Sequence, residues 1–299
     1  MESDGNKTGS RFANTPTPSP EDAAEQLKAQ HNVQDQMKRR APSRGSSWLS
    51  LWGAALMSSY IGVFLATFPA LSTTDDTTDT FNFTQTGLLV FPVLLYSSLV
   101  VGAREHFSIR TRPTRRSTIA YALLVAAFIA LLALRITGTQ YPWWVNPLLP
   151  IVLFAVLAAS HIARLLGRLR EEGAATTPRP ALRNSVRWNT VGIGVASGAL
   201  VSSSTLPVPF SIATIIAMVW VVVSVLGAQT IWGLTRTGYE WGAAQWIAFG
   251  LTVSAMFGVS VLAPHVNFLT ITSTIAIGVA IFLLMLAASV LPPGGKSRP

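Results

Sequence analysis

Residues 268–291 read FLTITSTIAIGVAIFLLMLAASVL, with no Asp, Glu, Lys, Arg or His anywhere in the stretch. A bilayer core takes about 20 predominantly apolar residues per helix, and this stretch supplies them. Strands of membrane barrels alternate apolar and polar over about 10 residues. The run at 281–286 does not alternate. A helix is therefore the predicted spanning element, because lipid leaves backbone groups no other partner.

The charge-free region extends well beyond this stretch. No Asp, Glu, Lys or Arg occurs between Glu240 and Lys296, nor between Arg187 and Arg236. Each interval has room for two passes. Across the whole chain only 12% of residues are charged and 50% are hydrophobic, against about 25% charged in soluble domains. Eight apolar runs follow: 48–71, 87–103, 118–134, 147–166, 190–206, 211–234, 241–262 and 268–291. Pro207 and Pro209 mark the turn between the fifth and sixth, and Pro264 the turn between the seventh and eighth. The predicted fold class is an all-α membrane protein of eight transmembrane helices.

Orientation is read from Lys and Arg. With eight spans, 21 of the 22 basic residues lie on one side of the membrane, in residues 1–46, 104–116, 164–187 and 296–298, together with Arg236. The remaining one, Arg135, ends the third span, where it can snorkel to the headgroups. The opposite loops carry Asp75, Asp76 and Asp79. Both termini are therefore expected in the cytoplasm, and the localisation is a plasma (inner) membrane. The arginines read as topology determinants and contacts for anionic lipids. The net charge of +9 is thus no sign of nucleic-acid binding, since no basic-aromatic module accompanies it. Tyr141, Trp143 and Trp144 sit where an interfacial aromatic belt is expected. Asn82-Phe83-Thr84 matches a glycosylation sequon, while the Ala- and Arg-rich, Lys-poor usage suggests a bacterial host.

The domain reading is a disordered cytoplasmic tail at 1–46, a first four-helix half at 47–166 and a basic linker at 167–188. A second half at 189–292 and a short tail at 293–299 complete it. Ser19 and Pro20 could open a helix within the first tail. No cleavable leader is expected, because the first apolar run begins only near Trp48. The halves read as parallel repeats. Gly102-Ala103 near the end of span two echoes Gly227-Ala228 near the end of span six, and Pro69 and Pro207 mark equivalent outer turns.

The search for chemistry yields no catalytic, cofactor-binding or metal site. No acid lies in any span, which disfavours a proton-coupled mechanism on a buried carboxylate. There is no cysteine. His161 reads as an interfacial histidine beside Arg164 and Arg168, and His265 as a turn residue. At 195–198 a Gly-x-Ser-Gly motif would need glycine where Val195 stands, and no base is placed for Ser197. His-Glu-x-x-His, the P-loop and the dinucleotide fingerprint are missing. Gly194 with Gly198, and Gly250 with Ser254 and Gly258, show the small-x-x-x-small spacing of close helix packing. Ser58, Ser59, Ser97 and Ser98 read as interhelical hydrogen-bonding groups, with a polar cavity as the second reading. The functional expectation is a permease-like or transport-associated protein, driven by a separate ATPase if by any. The alternative is a non-transporting scaffold, assembly factor or regulatory partner. An enzyme is the least favoured reading.

Overall fold

The computed structural model describes residues 44–67, 83–106, 115–137, 139, 142, 144–168, 181–227, 230, 232–263, 266 and 269–292, with Glu25 and Lys28 before them. The chain divides into Met1–Ser43 and Arg44–Pro299. In the first unit Glu25 and Lys28 are helical and exposed, inside the tail segment predicted as a helix. In the second unit every described element is a helix, and no strand occurs among the described residues.

Nine helices are described in the second unit. They are α1 (Arg44–Thr67), α2 (Phe83–His106), α3 (Arg115–Ile136), α4 (Val145–Arg168), α5 (Asn184–Ser203), α6 (Pro207–Leu226), α7 (Leu234–Glu240), α8 (Ala243–Leu262) and α9 (Ile271–Val290). Eight of them coincide with the apolar runs, and α7 is an addition to them. Five have the length and apolar composition to cross a membrane: Gly45–Thr67, Gly87–His106, Pro207–Leu226, Ala243–Leu262 and Ile271–Val290. In α3 and α4 the apolar stretches are shorter, Thr118–Leu134 and Val145–Ala159. Arg115 and Arg116 on one side and Arg135 on the other bound the stretch in α3. In α5 the polar residues Asn189, Thr190, Ser197, Ser202 and Ser203 dilute the apolar content.

Several boundaries move. Helix α1 begins at Arg44, so residues 44–46 leave the predicted tail, and Ser46 and Ser47 are buried. Helix α5 begins at Asn184 inside the predicted linker, where Leu182 is also buried. The sixth apolar run spans 211–234. Its helix instead starts at Pro207, whose missing N–H costs nothing in the first turn, and stops at Leu226. The expectations for Pro69, Asp75, Asp76, Asp79, Asn82, Tyr141, Trp143, Pro264 and His265 lie outside the described residues.

The surface is apolar like the interior, unlike that of a water-soluble bundle. On α6, Val208, Ile212, Ile215, Ile216, Val219, Val222, Val223 and Leu226 form one outward stripe, with Leu226 83% exposed. The inward stripe holds Phe210, Ala217, Val221 and Ser224. On α9, Ile271, Ile275, Val279, Leu283, Leu286 and Val290 face outward, while Thr274, Gly278 and Ser289 are buried with Ile281, Met285 and Ala288. Soluble monomers rarely expose continuous apolar patches beyond a few hundred Å². A hydrocarbon environment removes the penalty. Cohesion then comes from close packing and internal hydrogen bonds rather than from hydrophobic contrast.

The packing follows from small residues. The most extensive contact joins α5 to α9, the next α1 to α4. Gly198 and Gly278 face one another. A Cβ at Gly198 would lie 2.6 Å from the Gly278 carbonyl oxygen, and one at Gly194 would lie 2.7 Å from the Met285 Cβ. These contacts run α5 and α9 antiparallel. Gly62 against Pro150 lets α1 and α4 approach closely. Trp52 rests on Gly250, and Tyr60 meets Phe257 at a ring separation of 6.5 Å, so α1 and α8 run parallel. Within residues 44–168, α1 packs on α2 and α4, and α4 packs on α3. Within residues 184–290, α5 packs on α6 and α9, and α9 packs on α8. These three pairings recur in both segments, but α5 also packs on α8, a contact with no equivalent of like extent between α1 and α3. Helix α3 departs from its counterpart α8: none of its described side chains is buried, whereas α8 contributes Trp246, Phe249, Val253, Met256 and Phe257 to the core.

Candidate functional site

A groove of about 690 Å³ runs between α1, α4 and α8. It lies where the segment 44–168 meets the segment 184–290. Helix α1 offers Trp52, Ser58, Ser59 and Gly62; α4 offers Pro150, Ile151 and Phe154; α8 offers Gly250, Ser254, Phe257 and Gly258. Small residues make the space: nothing lies within 4 Å of a Cβ built at Gly258. Ile151, Ser59 and Ser254 are exposed, so the groove is open along one side. No Asp, Glu, Lys, Arg or His is among the described residues that line it. Ligand sites of about 300–1,000 Å³ are typically mostly apolar with a few placed polar groups, and this lining has that character.

The glycines singled out by their spacing separate here. Gly194 and Gly198 pack against α9 as expected, and Gly250 receives the Trp52 ring. Gly258 does not pack on a neighbouring helix. Its neighbour Val259 is only 4% exposed and belongs to the core. The reason is register. A one-residue step turns a helix by about 100°, which takes position 258 into the groove and position 259 into the interior. Of the serines, Ser58 and Ser59 line the groove, whereas Ser97 and Ser98 donate back to the Leu94 carbonyl within α2. His161 is half-buried in α4 and is not among the groove's lining residues.

A comparison of the chain with family models, curated proteins and solved structures finds no match.

A second polar constellation lies apart from the groove, around the start of α5 and α7. Asn189 Nδ2 donates to the Trp232 carbonyl and to Thr237 Oγ1, both at 2.9 Å. Trp241 Nε1 donates to Thr190 Oγ1 at 2.9 Å. Gln245 Nε2 donates to the carbonyls of Ala288 and Leu291, and its Oε1 accepts from the Gly242 N–H. Glu240 accepts from the Arg183 N–H at 3.3 Å and pairs with Arg236 at 3.4 Å. Gly102 and Gly238 let α2 and α7 touch backbone to backbone, at the Thr235 and Leu99 carbonyls respectively. Each polar group here satisfies another, and the arrangement reads as a clasp that seats α7 rather than as chemistry. Sequence reasoning does not find Asn189, Thr237 or Glu240. Glu240, the one acid between Arg187 and Lys296, is the available signal.

Proposed function

We propose that this is a multi-pass membrane protein of the permease-like kind, which handles a small apolar or amphipathic molecule in the groove between α1, α4 and α8. All eight long helices cross the bilayer in this reading, with both termini cytoplasmic. The single observation that carries it is the groove, placed between two segments that share three helix pairings. Parallel repeats place substrate sites at their interface, and a groove with no ionisable lining suits a molecule that partitions into lipid.

Native mass spectrometry of the full chain, purified in mild detergent, tests this. Wild type is expected to retain one small molecule, and Gly258→Phe, which fills open space, is expected to lose it while remaining folded. Retention by both proteins, or by neither, would remove the groove from the reading.

The alternative, a scaffold or assembly partner, draws on α3. Helix α3 rests mainly on α4, with one ring contact from Phe128 to Phe64 at 5.9 Å. It leaves Ile119, Leu123, Val125 and Ile129 more than half exposed. Co-purification of a stoichiometric protein that is lost when these four are replaced by Ala would favour that reading.

A further inference from the structure

Most helical serines and threonines of this chain satisfy their hydroxyls locally. Ser50 donates to the Ser46 carbonyl at 3.0 Å, Thr190 to Val186 at 2.8 Å, Ser260 to Met256 at 3.0 Å and Ser289 to Leu286 at 2.7 Å. This back-bonding is the default for a hydroxyl on a helix in an apolar setting. Ser58 departs from it. The residue is only 5% exposed, yet its Oγ has no hydrogen-bond partner. Ser197 and Thr252 share that condition, but neither lines the groove; Ser58 does. A buried donor without an acceptor is unfavourable, and an acceptor arriving with a ligand restores the loss.

The rest of the lining constrains what can bring that acceptor. Trp52, Leu56, Val63, Phe154, Val253 and Phe257 give an apolar wall. With no charged or histidine side chain among the described lining residues, an ionic head would lose water without gaining a counter-charge there.

We propose that the groove holds an uncharged single-chain amphiphile: a hydrocarbon chain carrying one hydroxyl or carbonyl oxygen, which accepts a hydrogen bond from Ser58 Oγ. This rests on the groove being a ligand site and goes beyond that reading by naming the ligand's class. The aromatic and branched side chains pack the hydrocarbon. The open side along Ile151, Ser59 and Ser254 lets the chain enter from the bilayer.

The test is photocrosslinking of the full chain in detergent with a diazirine-bearing monoacylglycerol, mapped by peptide mass spectrometry. Competitors of matched chain length are a long-chain alcohol, the corresponding alkane, an ionised fatty acid at pH 8 and phosphatidylglycerol in mixed micelles. Label is expected on α1, α4 and α8, with the alcohol competing about 3–10-fold better than the alkane, the range a net hydrogen bond supplies. In Ser58→Ala the alcohol and the alkane should compete equally, while label remains in the groove. Gly258→Phe should remove the label from wild type and Ser58→Ala alike.

If Ser58→Ala keeps the preference for the alcohol, the hydrogen bond is overturned while the groove stands as a ligand site. A groove left unlabelled in wild type overturns the groove reading itself. Better competition by the fatty acid overturns the uncharged class. Efficient competition by phosphatidylglycerol identifies the occupant as ordinary bilayer lipid and overturns the single-chain assignment. Both variants should elute as wild type on size exclusion; a variant that does not is replaced by Ser58→Val or Gly258→Trp, with the same expectations.

Discussion

Gly198 and Gly258 occupy the same place in their motifs, each closing a run of small residues spaced by four. Their surroundings are opposite. A side chain at Gly198 meets the backbone of α9, which cannot yield, whereas one at Gly258 meets open space. Gly198→Leu is therefore expected to lower stability by about 1–3 kcal/mol or more, the usual range for overpacking. Gly258→Leu should remain within about 0.5 kcal/mol of wild type, as for substitutions that disturb no packing. Thermal unfolding in detergent, followed by size exclusion, separates the two. Spacing announces that both glycines lie on a helix face. It cannot announce which helix supplies the opposing surface, because that depends on contacts between segments distant in sequence. The same limit applies to Ser58 and Ser97. As residues in apolar runs they look equivalent, but Ser97 turns to its own helix for a partner and Ser58 does not.

Among the elements, α7 shows where the sequence misleads. Apolar residues continue past Leu226 through Trp232 and Leu234, so the sixth run looks unbroken. The break comes at Gly227, and the chain then makes a seven-residue helix held by side chains from elsewhere. A helix this short is marginal without tertiary support. Asn189 is a main source of that support, since it bonds both the approach at Trp232 and the helix at Thr237. Asn189→Ala takes a partner from the buried Thr237 hydroxyl, and an unsatisfied buried group costs about 1–3 kcal/mol. The expected outcome is faster hydrogen exchange across 232–241, with α9 and the body of α5 unchanged. Exchange that stays at the wild-type rate would show that Glu240 and the glycine contacts hold α7 alone. The Glu240 pairs are the weaker support, because Arg183 is largely exposed and such pairs are worth little. By contrast, the eight long helices are legible in the sequence as elements, with ends that move by up to eight residues, because a long apolar run has few other ways to fold.

For the whole molecule, the contacts give relative directions that the arginine pattern implies: α1 runs parallel to α8, and α5 runs antiparallel to α9. Single cysteines in this otherwise cysteine-free chain test the full crossing. Asn146→Cys should react with an impermeant thiol reagent on intact cells, and Ala175→Cys should react only after the cells are opened. Labelling of Ala175→Cys from outside would invert the orientation. Pairing of the two segments is only faintly legible in the sequence. Gly102 and Gly227 look equivalent there, yet Gly102 permits a backbone crossing with α7, whereas Gly227 ends α6 against its own Val223 carbonyl.

The exposed position of α3 has a consequence for the surrounding lipid. Its apolar stretch Thr118–Leu134 reaches about 25 Å at 1.5 Å per residue, short of a core about 30 Å thick. Arg115 and Arg116 bound it at one end and Arg135 at the other. A helix embedded among others can hide such a shortfall, but α3 has little protein around it to do so. If α3 crosses the bilayer as proposed above, the mismatch falls on the lipid, which thins beside this helix at a cost of fractions of a kcal/mol per Å. In that reading the protein carries a local preference for thin membranes on one flank, and lengthening the acyl chains of a reconstituted bilayer should strain α3 before the five helices that have the length to cross.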